Sequence, residues 1–320
     1  MRWTNPDKSF GCYINPYIED PKHNLWDVIL WRFGHYDEPH VLPPDGFQYP
    51  AQPHPFDATS PSAVWIGHST FLLKVGGLAI LTDPLFSDHC SPIPIRSLKR
   101  HQQPAISIDD LTAVDIVLIS HNHYDHLDES SVCRICQKFP NVQWIVPAGV
   151  KKWFTKKKIA NATELNWGES YSFMDRCRIF AVPAQHFSGR GLWDENRSLW
   201  CGYVVECNQK TFYFVGDSGY NSVDFKQIGE RWPIIDLSMI PIGAYAPKRL
   251  LQGIHVCPRE AVQIHCDVGS RLSLGMHWNT FTLSDEPVDL PPYDLFLAMK
   301  EKDLPFETFL PSQIGVPLNW

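Results

Sequence analysis

The sequence predicts a single layered α/β domain, and three features carry that expectation. Apolar runs of strand length alternate with helical patterns along most of the 320 residues, a length that suits one large core or two small ones. No linker-like stretch divides the pattern after about residue 60. At four places a histidine or aspartate closely follows an apolar run, and strand ends on one edge of a layered domain converge in space although distant in sequence.

Residues 1–60 read as an N-terminal arm, rich in Pro and aromatics, that packs on a main domain spanning residues 61–320. The arm holds one helical stretch at about His23–Phe33, where Leu25, Trp26, Ile29, Leu30 and Phe33 fall near helical spacing. Strands begin with Val64–His68 and Phe71–Val75. Gly76-Gly77 then turns the chain into Leu78–Asp83, a hairpin signal. Asp83, in Thr-Asp-Pro, either orients a metal-bound histidine or simply starts a turn. The run Ile116-Val117-Leu118-Ile119-Ser120 reads as a buried strand, with a helix opening at Asp128-Glu129-Ser130.

Beyond it, Val142–Val146 is a strand and Gly149–Ile159 a helix. The helix carries the basic run Lys151–Lys158 around Val150, Trp153 and Phe154, a pattern that packs on a sheet or touches an anionic lipid surface. Arg178–Pro183 is a strand ending at Gln185-His186. Tyr203–Glu206 and Thr211–Val215 form a hairpin ending at Gly216-Asp217. Leu237–Ile242 is a strand, Pro258–Val268 opens as a helix with Pro in its first turn, and Leu272–Met276 is the last strand, ending at His277.

Composition limits the function. A formal charge of −7 disfavours a general nucleic-acid binder. The nine cysteines are odd in number and scattered, so they read as reduced thiols in a reducing compartment. Cys133 and Cys136 form a CxxC within a helix and have no second pair to complete a zinc site. No apolar run approaches the roughly 20 residues of a membrane span, and the N-terminus lacks a signal-peptide core. A cytoplasmic protein is expected, with any membrane contact peripheral.

The chemistry concentrates in His121-Asn122-His123-Tyr124-Asp125-His126-Leu127-Asp128, directly after a strand. An extended loop turns alternate side chains to one side, so His121 and His123 can hold one ion while Asp125 and His126 face a second. Imidazole with carboxylate and no thiolate suits catalytic zinc, although imidazole also accepts iron or manganese. Taken singly, His186 or His277 would read as a buried histidine. Together with Asp217 at matching strand ends they complete two sites: His121, His123 and His186 on one ion, Asp125, His126 and His277 on the other, and Asp217 bridging.

These motifs, with Trp65-Ile66-Gly67-His68-Ser69-Thr70, Leu81-Thr82-Asp83-Pro84, Gly216-Asp217-Ser218-Gly219-Tyr220, Ile240–Tyr245 and Met276-His277-Trp278, resemble the N-acyl-phosphatidylethanolamine-hydrolysing phospholipase D family of the metallo-β-lactamase superfamily, from about Asn5 to about Leu290. The resemblance implies a four-layer αβ/βα sandwich with two zinc ions in the groove between the sheets. It also implies cleavage of a phosphodiester to an N-acylethanolamine and phosphatidic acid. His255 and His265 match family positions near the substrate phosphate, and Tyr124 matches one lining the same site. His265 has the alternative of sitting mid-helix in the core. Cys257 stands where the family pattern suggests an acidic residue, and the long polar N-terminal tail of animal members is missing. Expected partners are a phospholipid and a peripheral membrane surface, with no nucleic acid; a homodimer is left open. The competing expectation is a hydrolase of the same fold acting on a soluble lactone, sugar phosphate or nucleotide.

Overall fold

Side-chain alternation within short apolar runs stacks the layers. In Ile116-Val117-Leu118-Ile119 successive side chains point to opposite faces of the sheet, and both faces are covered. Ile116 and Leu118 join the large core cluster, whereas Val117 and Ile119 join a second cluster beneath helices. A one-residue slip in register would exchange the two sets. Each such side chain contributes about 1.5–3 kcal/mol on burial, so the register is strongly specified.

The computed structural model describes residues 3, 5–18, 27, 30, 31, 34–51, 56–191 and 193–320. A small hairpin of β1 (Lys8–Ser9) and β2 (Cys12–Tyr13) comes first. One sheet then runs in the order β3 (Ser62–Gly67), β4 (Thr70–Val75), β5 (Leu78–Thr82), β6 (Ile116–Leu118), β7 (Gln143–Pro147) and β8 (Ala162–Leu165). The other runs through β9 (Ser170–Phe173), β10 (Cys177–Val182), β11 (Gly202–Cys207), β12 (Lys210–Phe214), β13 (Ile235–Pro241), β14 (Ser270–Met276) and β15 (Phe309–Pro311). The last strand, β16 (Pro317–Asn319), pairs with β3, so both sheets have seven strands. Each begins antiparallel and turns parallel, from β5 to β8 and from β12 to β15.

Helices α1 (Glu129–Lys138) and α2 (Lys151–Lys156) bury Val132, Ile135 and Phe154 against the first sheet. The second sheet is flanked by α3 (Asp224–Arg231), α5 (Pro258–Asp267) and α6 (Pro291–Glu301), with the one-turn α4 (Lys248–Leu251) in the loop after β13. Between the sheets, Tyr203 donates its hydroxyl to Ile119 O at 2.9 Å, and it shares a face of the second sheet with Val205, Phe212 and Phe214. The result is the helix–sheet–sheet–helix sandwich expected from the sequence.

Before residue 60, described side chains anchor directly on this body. The Trp3 indole donates to Gln227 Oε1 at 2.9 Å and stacks on Trp232. Tyr49 donates to Phe309 O at 2.7 Å. The expected helix at about His23–Phe33 falls largely outside the described residues. The helix expected over Gly149–Ile159 is only Lys151–Lys156, with its lysines exposed and Phe154 buried, as in an amphipathic helix packed on a sheet. Leu272–Met276 is not the final strand, since α6, β15 and β16 follow it. Among the described residues no helix is long and apolar enough to cross a membrane.

Candidate metal centre

Parallel neighbours β5 and β6 end side by side, and this brings Asp83 under the central motif. Asp83 is wholly buried. Its Oδ1 accepts the Ser120 N–H at 2.7 Å, and its Oδ2 accepts the Ser120 hydroxyl at 2.5 Å and His126 Nδ1 at 2.7 Å. With its hydroxyl proton committed to Asp83, Ser120 Oγ can only accept from His121 Nδ1, 2.9 Å away. His186 Nδ1 donates to Ile254 O at 2.8 Å. Each of these three imidazoles therefore commits the proton on Nδ1 to its partner and turns Nε2 toward the centre, an assignment made from the network.

The inward-facing nitrogens converge. His121 Nε2 lies 2.8 Å from His123 Nδ1, which lies 3.3 Å from His186 Nε2. One donor atom from each of the three falls within 4.8 Å of the others, and His68, Asp125, His126 and His277 form a second such group. Between the groups, Asp217 Oδ2 is 3.0 Å from His126 Nε2, 3.2 Å from His277 Nε2, 3.8 Å from His186 Nε2 and 4.0 Å from His121 Nε2. The Nε2 atoms of His126 and His277 are buried without a hydrogen-bond partner, as is Asp217 Oδ1. Buried nitrogens and carboxylate oxygens turned on one another call for a cation among them, a proton or a metal ion. The donor set therefore fits bound divalent ions.

The electrostatics agree. Burial opposes ionisation of Asp217, yet His126 and His277 hold its carboxyl well below the usual range, and Asp125 is held low in the same way by His126 and its other histidine neighbours. Burial also opposes charge on His126, but Asp217 and Asp125 raise it well above an ordinary imidazole. His277 is raised to about 9 by the same two carboxylates against burial. His121 and His186 are held well below 6.5, first by burial, so both stay neutral donors.

Of the residues expected from the sequence, the structure gathers His121, His123, Asp125, His126, His186, Asp217 and His277 into one cluster. Asp83 meets His126 in the orienting geometry. His255 stands at the rim, its ring centroid 5.0 Å from His186 and 5.4 Å from His277, with Nδ1 buried and unpartnered. Burial lowers its pKa to about 4.

His265 is a correction. It lies on α5 with Nδ1 2.8 Å from Ser273 Oγ and its ring beside Phe309. Ser273 is four residues before His277, about 13 Å along an extended strand. His265 therefore belongs to the core between α5 and β14 and is not brought to the cluster. Cys257, found where an acidic residue was expected, caps α5 in a reciprocal pair with Glu260.

Two participants carry no role in the sequence reading. His68 Nε2 lies 3.0 Å from Asp125 Oδ2, and its ring packs 4.0 Å from that of His277. It turns the corner between β3 and β4 at φ +53°. Arg190 donates through one guanidinium nitrogen to Asn122 O at 2.9 Å and Leu127 O at 2.7 Å, clamping both ends of the ligand-bearing loop. Its Cζ lies 4.0 Å over the Tyr124 ring, and the Tyr124 hydroxyl donates to Arg190 O at 2.9 Å. A glycine-flanked arginine has no periodicity to betray it. Tyr124 and Arg190 line a cavity of about 610 Å³, together with Ile93, Pro94, Asp128 and Glu129.

Comparison with known proteins places this geometry. Residues 79–278 match the β-lactamase superfamily domain. The chain is 39% identical to N-acyl-phosphatidylethanolamine-hydrolyzing phospholipase D 1 of Caenorhabditis elegans, over 79% of this chain and 74% of that protein. It is 37% identical to the mitochondrial N-acyl-phosphatidylethanolamine-hydrolyzing phospholipase D of Saccharomyces cerevisiae, over 74% of this chain and 50% of that one. A possible metal-dependent hydrolase from Veillonella parvula shares the fold, with a TM-score of 0.66 at 16% identity over 82% of this chain and all of that chain (100%). This chain is a metal-dependent hydrolase, and it belongs to the N-acyl-phosphatidylethanolamine-hydrolysing phospholipase D family of the metallo-β-lactamase superfamily.

Proposed function

We propose that the protein is a dinuclear zinc phosphodiesterase of phospholipase D type. Its substrates are N-acyl-phosphatidylethanolamine-like lipids, which it hydrolyses to N-acylethanolamine and phosphatidic acid. The observation that carries this reading is the position of Asp217 Oδ2, within 3.0–4.0 Å of four imidazole nitrogens from two donor groups. The relatives in C. elegans and S. cerevisiae are named for this reaction.

In this reading His121, His123 and His186 hold one ion, Asp125, His126 and His277 the other, and Asp217 both. When bound, the pair of ions would acidify a water and screen the phosphate charge. The chain's own groups do the rest. Asp83 and Ser120 lock the tautomers of His126 and His121, which keeps their donor nitrogens aimed inward. His255, neutral at pH 7, offers an imidazole N–H to a phosphate oxygen or to the departing alkoxide. The water oxygen bonds to phosphorus, the bond from phosphorus to the ethanolamine oxygen breaks, and that oxygen takes up a proton.

A lipid substrate is supported by the cavity's surroundings. Ile93 on its wall is 62% exposed, and Trp193, three residues beyond Arg190, is 85% exposed. The lysines of α2 are close by, because Trp153 lies 5.7 Å from Arg190 Cζ. Apolar tips beside basic side chains suit peripheral contact with an anionic leaflet. One observation favours the second reading, a soluble lactone, sugar phosphate or nucleotide: Asp128, Glu129 and Arg190 give the cavity a partly polar wall. Turnover of N-acyl phosphatidylethanolamine in vesicles, beside a panel of those soluble compounds, separates the two. The expected result is preference for the lipid; preference for a soluble compound moves the enzyme to the second reading.

A further inference from the structure

At the end of the sandwich opposite the metal centre, Cys177 and Cys207 are register partners on β10 and β11. Both are buried, 3% and 1% exposed, and both thiols are free. Their backbone register is informative. Asn208 and Gln209, at φ +50° and +65°, form a two-residue turn that makes Cys207 and Lys210 the closing pair of the β11–β12 hairpin. In such a hairpin the closing pair exchanges its hydrogen bonds. The N–H and C=O of Cys207 thus point to β12, away from β10.

It follows that Cys177 and Cys207 face each other as a non-hydrogen-bonded pair, the class with Cα atoms about 4.5 Å apart and side chains closest. A disulfide accepts Cα separations of about 4.4–6.8 Å. Both side chains lie on the inter-sheet face, where Cys207 Sγ is 3.6 Å from Val75 O. The Cys177 thiol hydrogen-bonds Cys207, which pulls the Cys207 thiol below its ordinary range and makes it the better nucleophile. Both residues stand at strand termini, where opening requires least unfolding. A cavity of about 530 Å³ bordered by both cysteines reaches the same end on the outer face, where Arg178 and Glu206 alternate with them, and is lined by Arg176 and Lys210 as well as the acidic Asp175.

We propose that Cys177 and Cys207 form a reversible cross-strand disulfide by exchange with a small soluble disulfide such as oxidised glutathione. The Cys207 thiolate attacks one sulfur of the small disulfide and expels one thiolate. Cys177 then displaces the second thiolate from the mixed disulfide. Two cysteine thiols are oxidised to one disulfide, the small disulfide is reduced to two thiols, and the two cysteine protons pass to them. The segment so closed, residues 177–207, carries His186 and Arg190.

The test is to equilibrate the native full-length protein with oxidised glutathione, alkylate remaining thiols and map the peptides. The expected product is a linked pair of peptides containing Cys177 and Cys207, about 2 Da lighter than the dithiol and restored by dithiothreitol. Cys177→Ser, or Cys177→Ala where serine impairs folding, should instead stop at a glutathione adduct on Cys207. Both cysteines remaining alkylatable at equilibrium would overturn the proposal, as would links formed only elsewhere, such as Cys133 to Cys136.

Discussion

The two ends of the sandwich treat the left-handed backbone region differently. At the end holding Cys207, positive φ serves to reverse hairpins: Gly76-Gly77 between β4 and β5, Met174-Asp175 between β9 and β10, and Asn208-Gln209 between β11 and β12. At the metal end, His68, Asp83, Ala244 and His277 turn the chain after β3, β5, β13 and β14, all with positive φ. Side chains rarely adopt this conformation, and it persists only where surrounding structure enforces it. At one end this conformation closes hairpins; at the other, three of those four residues, His68, Asp83 and His277, belong to the donor cluster or orient it. Substitutions at the metal end should damage function far more than stability, and those away from it the reverse.

The sharpest break of that contrast is Asp217→Asn. It keeps the shape but removes the central charge, so loss of one ion and a fall in kcat of more than roughly a hundredfold are expected. Metal analysis with steady-state kinetics checks both. Asp83→Asn should come next, because it removes no donor of the cluster but disturbs the partner of His126 and, through Ser120, that of His121. Metal affinity or activity should drop about 10–100-fold, read by zinc titration against the native chain.

Much of this end was legible in the sequence, because HxHxDH and the later His186, Asp217 and His277 sit beside apolar runs whose ends must align. His68 and Arg190 were not legible as participants: one occupies a tight corner and the other a loop, and neither position carries a period. The elements missed in the fold fail for a related reason. Strand β9 has no fully buried residue, and β15 and β16 have three residues each, too few for alternation to register. Helix α6 opens with Pro291-Pro292 and has Asp294 within its first turn. His265 misled because its match was to a family position, and its hydrogen bond to Ser273 shows only in three dimensions.

Smaller effects sharpen the comparison. Arg190→Ala removes the clamp on Asn122 and Leu127, and displacement of the ligand loop should lower kcat about tenfold while the fold's far-UV signature stays intact. Removing one exposed lysine of α2, as in Lys152→Ala, should weaken binding to anionic vesicles about fivefold, from about 1 kcal/mol per lysine. The loss should shrink in high salt.

His265→Gln should leave turnover within about twofold and show itself in stability. The pKa of His265 is lowered to about 4 by burial, while an unfolded histidine titrates near 6.5. As pH falls below about 6.5, only the unfolded chain takes up this proton, so the native protein loses stability down to about pH 4. The variant should lack that part of the decline in urea unfolding measured across the range.

The central claim, that strand ends on one edge build a two-ion hydrolytic centre, is tested most directly by titrating the metal-free chain with zinc. Native mass spectrometry and hydrolysis of N-acyl phosphatidylethanolamine vesicles are followed together. The account predicts that turnover rises with the species carrying two ions per chain and that Asp217→Asn stops at one. Full turnover by a one-ion species, or two ions held without Asp217, would contradict it.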